Sequence, residues 1–263
     1  MIGPSDDDTL SELPTVNSTP LRVVDAGVAT TTGLVRAANE DHYGSTGHLF
    51  VVADGMGGAA GGALASNLTV EHMLDSQPGV GWVTTLSHVN DLVRTGCNEA
   101  GFQGAGSTMV AVVVEEQRCV TLAMGDSRIY RFRDGGLQQL TEDHNLGNLR
   151  REEGLDPTVG DARGKPRALT SYMGSPDRSQ RIDVGTISAL NGDRILLTTD
   201  GVHEQLPHSL VSEIVTASSC QEAAQGLVDA ADAAGGRDNA TAFIIELATD
   251  FLIDEDQETQ ERV

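Results

Sequence analysis

Aspartates recur beside the apolar, strand-like segments of this sequence. Asp54 follows Leu49–Ala53, Asp126 comes shortly after Cys119–Ala123, Asp200 follows Ile195–Thr199, and Asp238 stands just before Thr241–Leu247. A single aspartate at the end of a strand is an ordinary turn residue. Rigid strands can, however, aim four carboxylates at one point, and converging carboxylates repel one another strongly unless cations lie between them. The pattern therefore predicts a cation site built from these four aspartates.

The available donors indicate the class of cation. Carboxylates, water and the backbone carbonyl of Gly55 are hard oxygen donors, which suit Mg²⁺ or Mn²⁺. Because Gly55 has no Cβ, its carbonyl can approach a cation closely. A Zn²⁺ site would require histidines or cysteines at metal-binding spacing. His203 has no second histidine one helical turn further on, and the three cysteines are scattered, so the sequence argues against zinc.

A second cluster of charged residues lies upstream, in the segment Arg36–Asp41. The Arg36 guanidinium can bind a phosphate through two parallel hydrogen bonds. Glu40 and Asp41 add two carboxylates for metals or for their water ligands. The alternative interpretation is a surface turn with an ion pair, which would contribute little. The residues alone leave both interpretations open.

The charge balance is strongly acidic. With 17 basic and 39 acidic side chains, the 263 residues carry a formal net charge of −22. A nucleic-acid partner requires a basic surface that displaces counterions, so no such partner is expected. A cation site uses only a few carboxylates, and solvated surface and tails must account for the rest. The odd number of widely spaced cysteines predicts free thiols in a reducing compartment.

Neither a membrane segment nor a secretion signal is predicted. The longest uninterrupted aliphatic run, Met109–Val114, is far too short to cross a bilayer. The N-terminal residues, with Asp6-Asp7-Asp8, lack the basic and apolar regions of a signal peptide. We therefore expect a cytoplasmic protein that does not contact membranes.

Composition predicts three regions. Residues 1–20 are polar and contain three prolines, which predicts a disordered tail, and residues 250–263 form an acidic tail. Residues 21–249 show no linker-like change of composition and are predicted to form one domain. A domain of this length can bury a substantial hydrophobic core.

The elements that must position the charged residues are mostly strands. Seven segments rich in β-branched residues predict strands: Leu21–Ala29, Leu49–Ala53, Met109–Val114, Cys119–Ala123, Ile129–Phe132, Ile195–Thr199 and Thr241–Leu247. Helices are predicted at about 59–74, at about 84–100, and from Ser219, which forms a capping box with Glu222, to Gly235. Because strands occur in clusters rather than in alternation with helices, the pattern favours an α+β fold with antiparallel sheets and helices packed outside.

Across about residues 22–247, the ordered motifs resemble those of the metal-dependent protein phosphatases of the PPM, or type 2C, family in its compact bacterial form. The Arg36–Asp41 segment is similar to the first motif of the family, and Phe50–Gly58 to its most recognisable one. Further matches are Gly106–Thr108, Gly125–Tyr130, Leu140–His144, Leu169–Gly174, Asp193–Gly201 and Gly236–Thr241. One match could arise by chance, but the ordered set is highly specific.

The resemblance implies a four-layer α-β-β-α sandwich, in which helices flank two antiparallel sheets and the site lies at one sheet edge. It also implies that Asp54 bridges two Mg²⁺ or Mn²⁺ ions and that Gly55 offers its carbonyl to one of them. Asp200 and Asp238 would complete the protein ligands of the other ion. Asp126, with help from Asp200, would bind a weaker third ion.

The implied activity is hydrolysis of phosphoserine and phosphothreonine in proteins by a water that bridges the metals, without a covalent intermediate. Arg36 would bind the phosphate, and Glu40 and Asp41 would bind metal waters or a metal directly. The implied partners are phosphorylated proteins, as substrates of a Ser/Thr kinase, and the protein is expected to be a monomer. Some eukaryotic relatives have a histidine where this chain has Met56, which cannot donate a proton, so the proton for the leaving group has no assigned source.

Two other functions compete with this one. A cysteine-dependent phosphatase needs an arginine six positions after its cysteine, and no cysteine here meets that condition. A catalytically silent module that binds phosphopeptides or partner proteins on the same scaffold would have lost metal ligands, and none of the expected ones is missing. The basic segment His144–Met173 is either a mobile flap that helps to select substrates or a solvated loop.

Overall fold

The computed structural model describes residues 20–76, 81–116, 118–160 and 167–249. The two predicted tails, residues 1–20 and 250–263, lie outside this part of the chain except for Pro20. In chain order the strands are β1 (Leu21–Thr31), β2 (Asp41–Ser45), β3 (Leu49–Met56), β4 (Gly106–Ser107), β5 (Met109–Val114), β6 (Cys119–Met124), β7 (Arg128–Arg133), β8 (Gly136–Gln139), β9 (Asp183–Ile187), β10 (Arg194–Thr198) and β11 (Ala240–Thr249). The helices are α1 (Ala59–Leu74), α2 (Trp82–Glu99), α3 (Leu146–Glu152), α4 (Asp200–His203), α5 (His208–Ile214) and α6 (Cys220–Ala233).

The strands form two sheets. The first has the strand order β1-β11-β10-β7-β8, and the second has the order β2-β3-β5-β6-β9, with the short β4 paired to β3. Each of these strand pairs is antiparallel. The prediction of antiparallel sheets is therefore confirmed.

Three hydrophobic clusters define four layers. Alternate residues of the strands, such as Phe50 and Ile195, lie between the two sheets. The residues that alternate with them on the second sheet, such as Val51, pack under α1 and α2. On the first sheet, residues such as Leu196 pack under α4, α5 and α6. The result is the expected α-β-β-α sandwich.

Burial on both faces explains the apolar runs of the central strands. Met109–Val114 is apolar at every position because one face of β5 meets the other sheet and the opposite face meets the helices. Its β-branched side chains suit this pleated, closely packed environment. Asp54 and Asp200 follow such segments, and the rigid strands therefore fix where their backbones lie.

All seven predicted strands are present, with ends that differ from the prediction by at most three residues. The helix at 59–74 is present with the predicted bounds, and in α6 the Ser219 hydroxyl accepts a hydrogen bond from Glu222 N, as a helix cap should. Strands β2, β4, β8 and β9 and helices α3, α4 and α5 were not predicted. They are short, and β2 has a polar sequence, so their periodicity carries little information. No helix in the described residues is long and apolar enough to span a membrane.

Candidate metal centre

Strands β2 and β3 place two of the candidate carboxylates side by side. Asp41 and Asp54 are directly paired in the antiparallel register, so their side chains lie on the same face of the sheet. Sequence patterns placed Asp54 just after a strand. The structure instead places both Asp54 and Gly55 inside β3, because β3 continues through Met56 and pairs there with β4.

The backbone of Asp54 is fixed from the neighbouring segment. Asp54 N donates to Thr108 Oγ1 at 3.0 Å, and the Asp54 carbonyl accepts from Thr108 N at 2.9 Å and from Ser107 Oγ at 3.0 Å. Ser107 and Thr108 are buried. Their hydroxyls therefore set the position of the central aspartate rather than contributing to the site themselves.

The other aspartates gather around Asp54. Burial raises the pKa of Asp54 well above its usual value, and the negative charges of Asp41, Asp200, Asp126 and Asp238 raise it further. The same two causes act on Asp200, whose pKa is raised by burial and then by Asp238. The structure thus brings the four aspartates beside the strands together with Asp41, and Asp54 is the member that interacts with all of the others.

Several of these carboxylates are poorly stabilised as anions. Burial raises the pKa of Asp41 to about 7, despite two hydrogen bonds from threonines, and burial with nearby Asp200 raises that of Asp126 to about 7. Asp41 Oδ1 and Asp200 Oδ1 are buried without a hydrogen-bond partner. Unpaired buried charges are costly, so this cluster fits a site for divalent cations.

The donor set also fits the class of cation. Across the described residues, no three His, Cys, Asp or Glu side chains lie together in a position to hold a metal ion by themselves. Mg²⁺ retains several of its waters and needs only one or two carboxylates, so an open site of oxygen donors suits it or Mn²⁺. A Zn²⁺ site would be closed by nitrogen or sulfur ligands, and all three cysteines are buried.

Two threonines that sequence reasoning missed orient Asp41. Its Oδ2 accepts hydrogen bonds from Thr199 Oγ1 at 2.9 Å and from Thr241 Oγ1 at 2.7 Å. Thr30 Oγ1 lies 2.8 Å from Thr241 Oγ1 and itself accepts from Asn39 Nδ2 at 2.8 Å. The hydroxyls occupy one oxygen of Asp41 and leave Oδ1 for another partner. The sequence offered one signal for this role: Thr199 directly precedes Asp200, and Thr241 follows Asp238 by three residues.

Thr241→Val is expected to reduce metal-dependent turnover by about 10- to 100-fold, because groups that orient metal-site carboxylates typically have effects of this size. Activity should be measured across a Mn²⁺ titration. The matched control is Thr198→Val, since Thr198 is equally buried but its hydroxyl contacts His203 Nδ1 at 3.1 Å. Equal losses in the two variants would show that the hydroxyl bonded to Asp41 has no special role.

Arg36 forms an ion pair with Asp238. Arg36 Nη2 lies 2.5 Å from Asp238 Oδ2, and the two side chains are 47% and 33% exposed. The sequence left open whether Arg36 binds phosphate or forms an ion pair, and the structure shows the ion pair. The partner of Arg36, Asp238, is a candidate metal ligand near the other end of the chain. The pair brings the first and last charged motifs into contact at the edge of the aspartate cluster.

Asn239 connects the same two motifs through a buried amide. Its Oδ1 accepts from Glu40 N at 2.9 Å, and its Nδ2 donates to the carbonyls of Thr32 and Ala38, both at 2.9 Å. Both N–H groups of the amide and its oxygen are used in fixing the loop between β1 and β2. Asn239 therefore positions the segment that carries Arg36 and Glu40, a role that the sequence did not reveal.

Glu40 and Gly55 meet helix α1 at close range. The Glu40 carbonyl accepts from Gly55 N at 3.2 Å and from the Ser66 hydroxyl. A Cβ on Gly55 would collide with the backbone of Gly62, and a Cβ on Gly62 would collide with the Glu40 carboxylate. Packing against α1 thus requires glycine at residue 55, in addition to the predicted need for an accessible carbonyl. Burial raises the pKa of Glu40.

Two histidines lie close in sequence to the candidate metal ligands. His42 follows Asp41 on β2, and His203 lies on α4 one turn after Asp200. Burial lowers the pKa of His42, and burial with the nearby cations Arg128 and Arg167 lowers that of His203 well below its usual value. Both imidazoles are therefore neutral at pH 7 and do not carry an acidic proton ready for a leaving group.

The predicted flap segment contains helix α3 and borders a cavity of about 520 Å³. Arg128 and Asp143, which form an ion pair at 2.7 Å, lie on one side of this cavity. Arg151 of α3 and Glu204, which follows α4, also line it. Residues 161–166 of the predicted flap are outside the described part of the chain. The cavity therefore joins the flap to the elements that carry Asp126 and Asp200.

Comparisons with known proteins agree with this arrangement. A family model described as Protein phosphatase 2C matches residues 36–233. The serine/threonine protein phosphatase PstP of Mycobacterium tuberculosis (strain H37Rv) is 32% identical over 232 residues, which cover 82% of this chain and 43% of PstP. Protein phosphatase PhpP of Streptococcus pneumoniae (strain D39) is 30% identical over 249 residues, covering 85% of this chain and 98% of PhpP.

Solved structures show the same fold. The catalytic domain of PstP, crystallised in complex with two manganese ions, superposes with a TM-score of 0.73 at 27% identity, over 88% of this chain and 100% of that domain. The chain thus spans less than half the length of full PstP but the whole of its catalytic domain. With the family model covering most of the sequence, these similarities show that the chain belongs to the protein phosphatase 2C family.

Proposed function

We propose that this protein hydrolyses phosphoserine and phosphothreonine in proteins with the help of bound Mg²⁺ or Mn²⁺. The observation that carries the proposal is the cluster of aspartates around Asp54, with Arg36 at its edge. In this cluster Asp41 Oδ1 and Asp200 Oδ1 are buried without a hydrogen-bond partner. The names of the relatives, Ser/Thr protein phosphatases, and the two manganese ions of the PstP domain support it.

The residues divide into three roles. Asp54, Asp200 and Asp238, with the Gly55 carbonyl, would bind two cations, and Asp126 would contribute to a weaker third site. When bound, such cations lower the pKa of a water ligand and neutralise charge on the phosphoryl group, so no covalent intermediate with the enzyme is needed. Glu40 and Asp41, two further carboxylates at the cluster, would orient the water molecules around these ions.

Arg36 would bind the phosphate. Its guanidinium is exposed on one side and can form two parallel hydrogen bonds to phosphate oxygens. The same guanidinium pairs with Asp238, so we expect it to leave this partner when Asp238 binds a cation. Because the cations reverse the local field, a chain with a net charge of −22 can still bind a phosphorylated substrate.

The test is turnover across a metal series. Purified protein should hydrolyse p-nitrophenyl phosphate with Mn²⁺ or Mg²⁺, lose this activity in EDTA, and prefer phosphoserine and phosphothreonine peptides to phosphotyrosine peptides. Iodoacetamide should have little effect, because Cys97, Cys119 and Cys220 are buried and burial raises the pKa of Cys119 and Cys220 to about 12. Full activity after chelation would refute the proposal.

The alternative is a catalytically silent module that binds phosphopeptides or partner proteins. It would bind a phosphopeptide with micromolar affinity and show no turnover with any divalent cation, so the same metal series distinguishes the two functions. We further propose a cytoplasmic monomer that acts on the substrates of a Ser/Thr kinase. The three buried, unpaired cysteines support a reducing compartment.

A further inference from the structure

The loop between β1 and β2 exposes apolar side chains beside Arg36. Residues 34–38 are all exposed, and four of the five are apolar: Leu34, Val35, Ala37 and Ala38, called here the apolar rim. Leu34 is 71% and Val35 is 68% exposed, the highest values for large apolar side chains in the described residues. Arg36, the residue proposed to bind phosphate, is the only polar residue of the run.

The exposure of this rim is fixed by the structure. Leu34 N donates to the Gly236 carbonyl at 2.7 Å, and the buried amide of Asn239 binds the carbonyls of Thr32 and Ala38. The loop is therefore attached at its start, middle and end to the segment that carries Asp238. Large apolar side chains that a well-anchored loop presents to water indicate an interaction surface.

The segment that contains the rim carries no negative charge of its own. Between Asp25 and Glu40 lie fourteen residues with no carboxylate, and Arg36 is their only charged side chain. In a chain with a net charge of −22, this stretch is unusually free of acidic groups. The carboxylate next to the rim in space, Asp238, is already paired with Arg36. An apolar residue beside the phosphate would bury surface against Leu34 and Val35.

Geometry places such a residue within reach. Val35 directly precedes Arg36 in the chain, and an extended peptide advances about 3.3 Å per residue. With a phosphate at Arg36, the side chain one or two residues from the phosphorylated residue therefore lies near the apolar rim. We propose that the apolar rim binds an apolar side chain one or two positions from the phosphorylated residue of the substrate, an inference that rests on the proposed phosphatase function.

The test compares peptides that differ only at the flanking positions. Wild-type protein with Mn²⁺ should show a kcat/KM about tenfold higher for phosphothreonine peptides with Leu at one flank than for those with Gly or Arg there. In L34S/V35S this preference should disappear through a rise in KM, and in Val35→Glu the order of Leu and Arg peptides should reverse. Hydrolysis of p-nitrophenyl phosphate, which has no flanking residue, should stay within about twofold.

The matched control is Leu190→Ser. Leu190 is 52% exposed and lies near Leu247, at the opposite end of β11 from Asp238, so this change should leave the peptide preference intact. Circular dichroism establishes whether each variant is folded. If L34S/V35S is not folded, the single variant Val35→Ser replaces it in the comparison of peptides.

Three results would overturn the inference. The first is an equal kcat/KM for Leu, Gly and Arg peptides at both flanks. The second is a preference for Leu that survives in L34S/V35S. The third is a wild-type dimer in analytical ultracentrifugation that dissociates in this variant, because it would assign the rim to self-association. Failure of the wild type to hydrolyse p-nitrophenyl phosphate would instead refute the proposed function. The two failures are therefore distinguishable.

Discussion

Asp54→Asn is expected to abolish turnover and at the same time to stabilise the metal-free protein. The loss of activity should be at least about 1000-fold, because the bound cations supply several kcal/mol of transition-state stabilisation and Asp54 is the carboxylate central to their site. Asparagine is always neutral, so in the absence of metal it removes the burial of a charge and the repulsion that together raise the pKa of Asp54. The free energy of unfolding should rise by roughly 1–3 kcal/mol.

The measurement combines initial rates in Mn²⁺ with urea unfolding in EDTA. Asp193→Asn is the control, and it should change the free energy of unfolding in the opposite direction. Asp193 is also buried, but it is paired with Arg133 at 2.5 Å. Breaking that pair should lower the free energy of unfolding, while the folded variant keeps its activity. If Asp54→Asn retained more than a tenth of the wild-type rate, or destabilised the metal-free protein, the assignment of Asp54 as the central ligand would be wrong.

The stability of the metal-free protein is expected to increase as the pH falls from 8 to 5. The pKa values of Asp41 and Asp126 are raised to about 7 in the folded chain, from a usual value of 3.8, so the folded state binds more protons than the unfolded state in this range. The cost of these charges is therefore fully present above pH 7 and is relieved as the pH falls. One such carboxyl contributes roughly 2–3 kcal/mol over this interval.

Thermal unfolding followed by circular dichroism, in EDTA and in Mg²⁺, tests this expectation. In EDTA the melting temperature should rise by about 5 °C or more between pH 8 and pH 5. With Mg²⁺ the rise should disappear or reverse, because cations stabilise the charged carboxylates and are released when these are protonated. A melting temperature in EDTA that falls steadily from pH 8 would mean that the cluster does not destabilise the metal-free fold.

Local sequence was enough to locate most elements of the fold. Met109–Val114 forms β5 as predicted, since an uninterrupted β-branched run has few alternatives to a strand buried on both faces. Glycine pairs and a serine cap delimit α1 and α6 because they act within one helical turn. Short elements such as β2 and α4 escaped prediction, since only their tertiary partners stabilise them.

The types of residue at the candidate site were also evident from sequence. The aspartates, Gly55 and Arg36 could be named because their chemistry depends on side-chain type and on position next to a strand. Asp54 was placed after its strand, whereas the structure places it within β3, opposite Asp41, because pairing with β2 and β4 prolongs the strand. Strand length depends on a partner that local sequence does not specify.

By itself, the sequence determined the hydrophobic layers and the oxygen donors of the candidate metal centre, because side-chain polarity and periodicity are local properties. Only the tertiary structure decided which groups meet. It placed Thr199 and Thr241 on Asp41, Asn239 across the loop that carries Arg36, and Arg36 against Asp238. These partners are separated by 158 to 207 residues in the chain, and hydrogen bonds act over about 3 Å, so their formation depends on sheet register and not on sequence spacing.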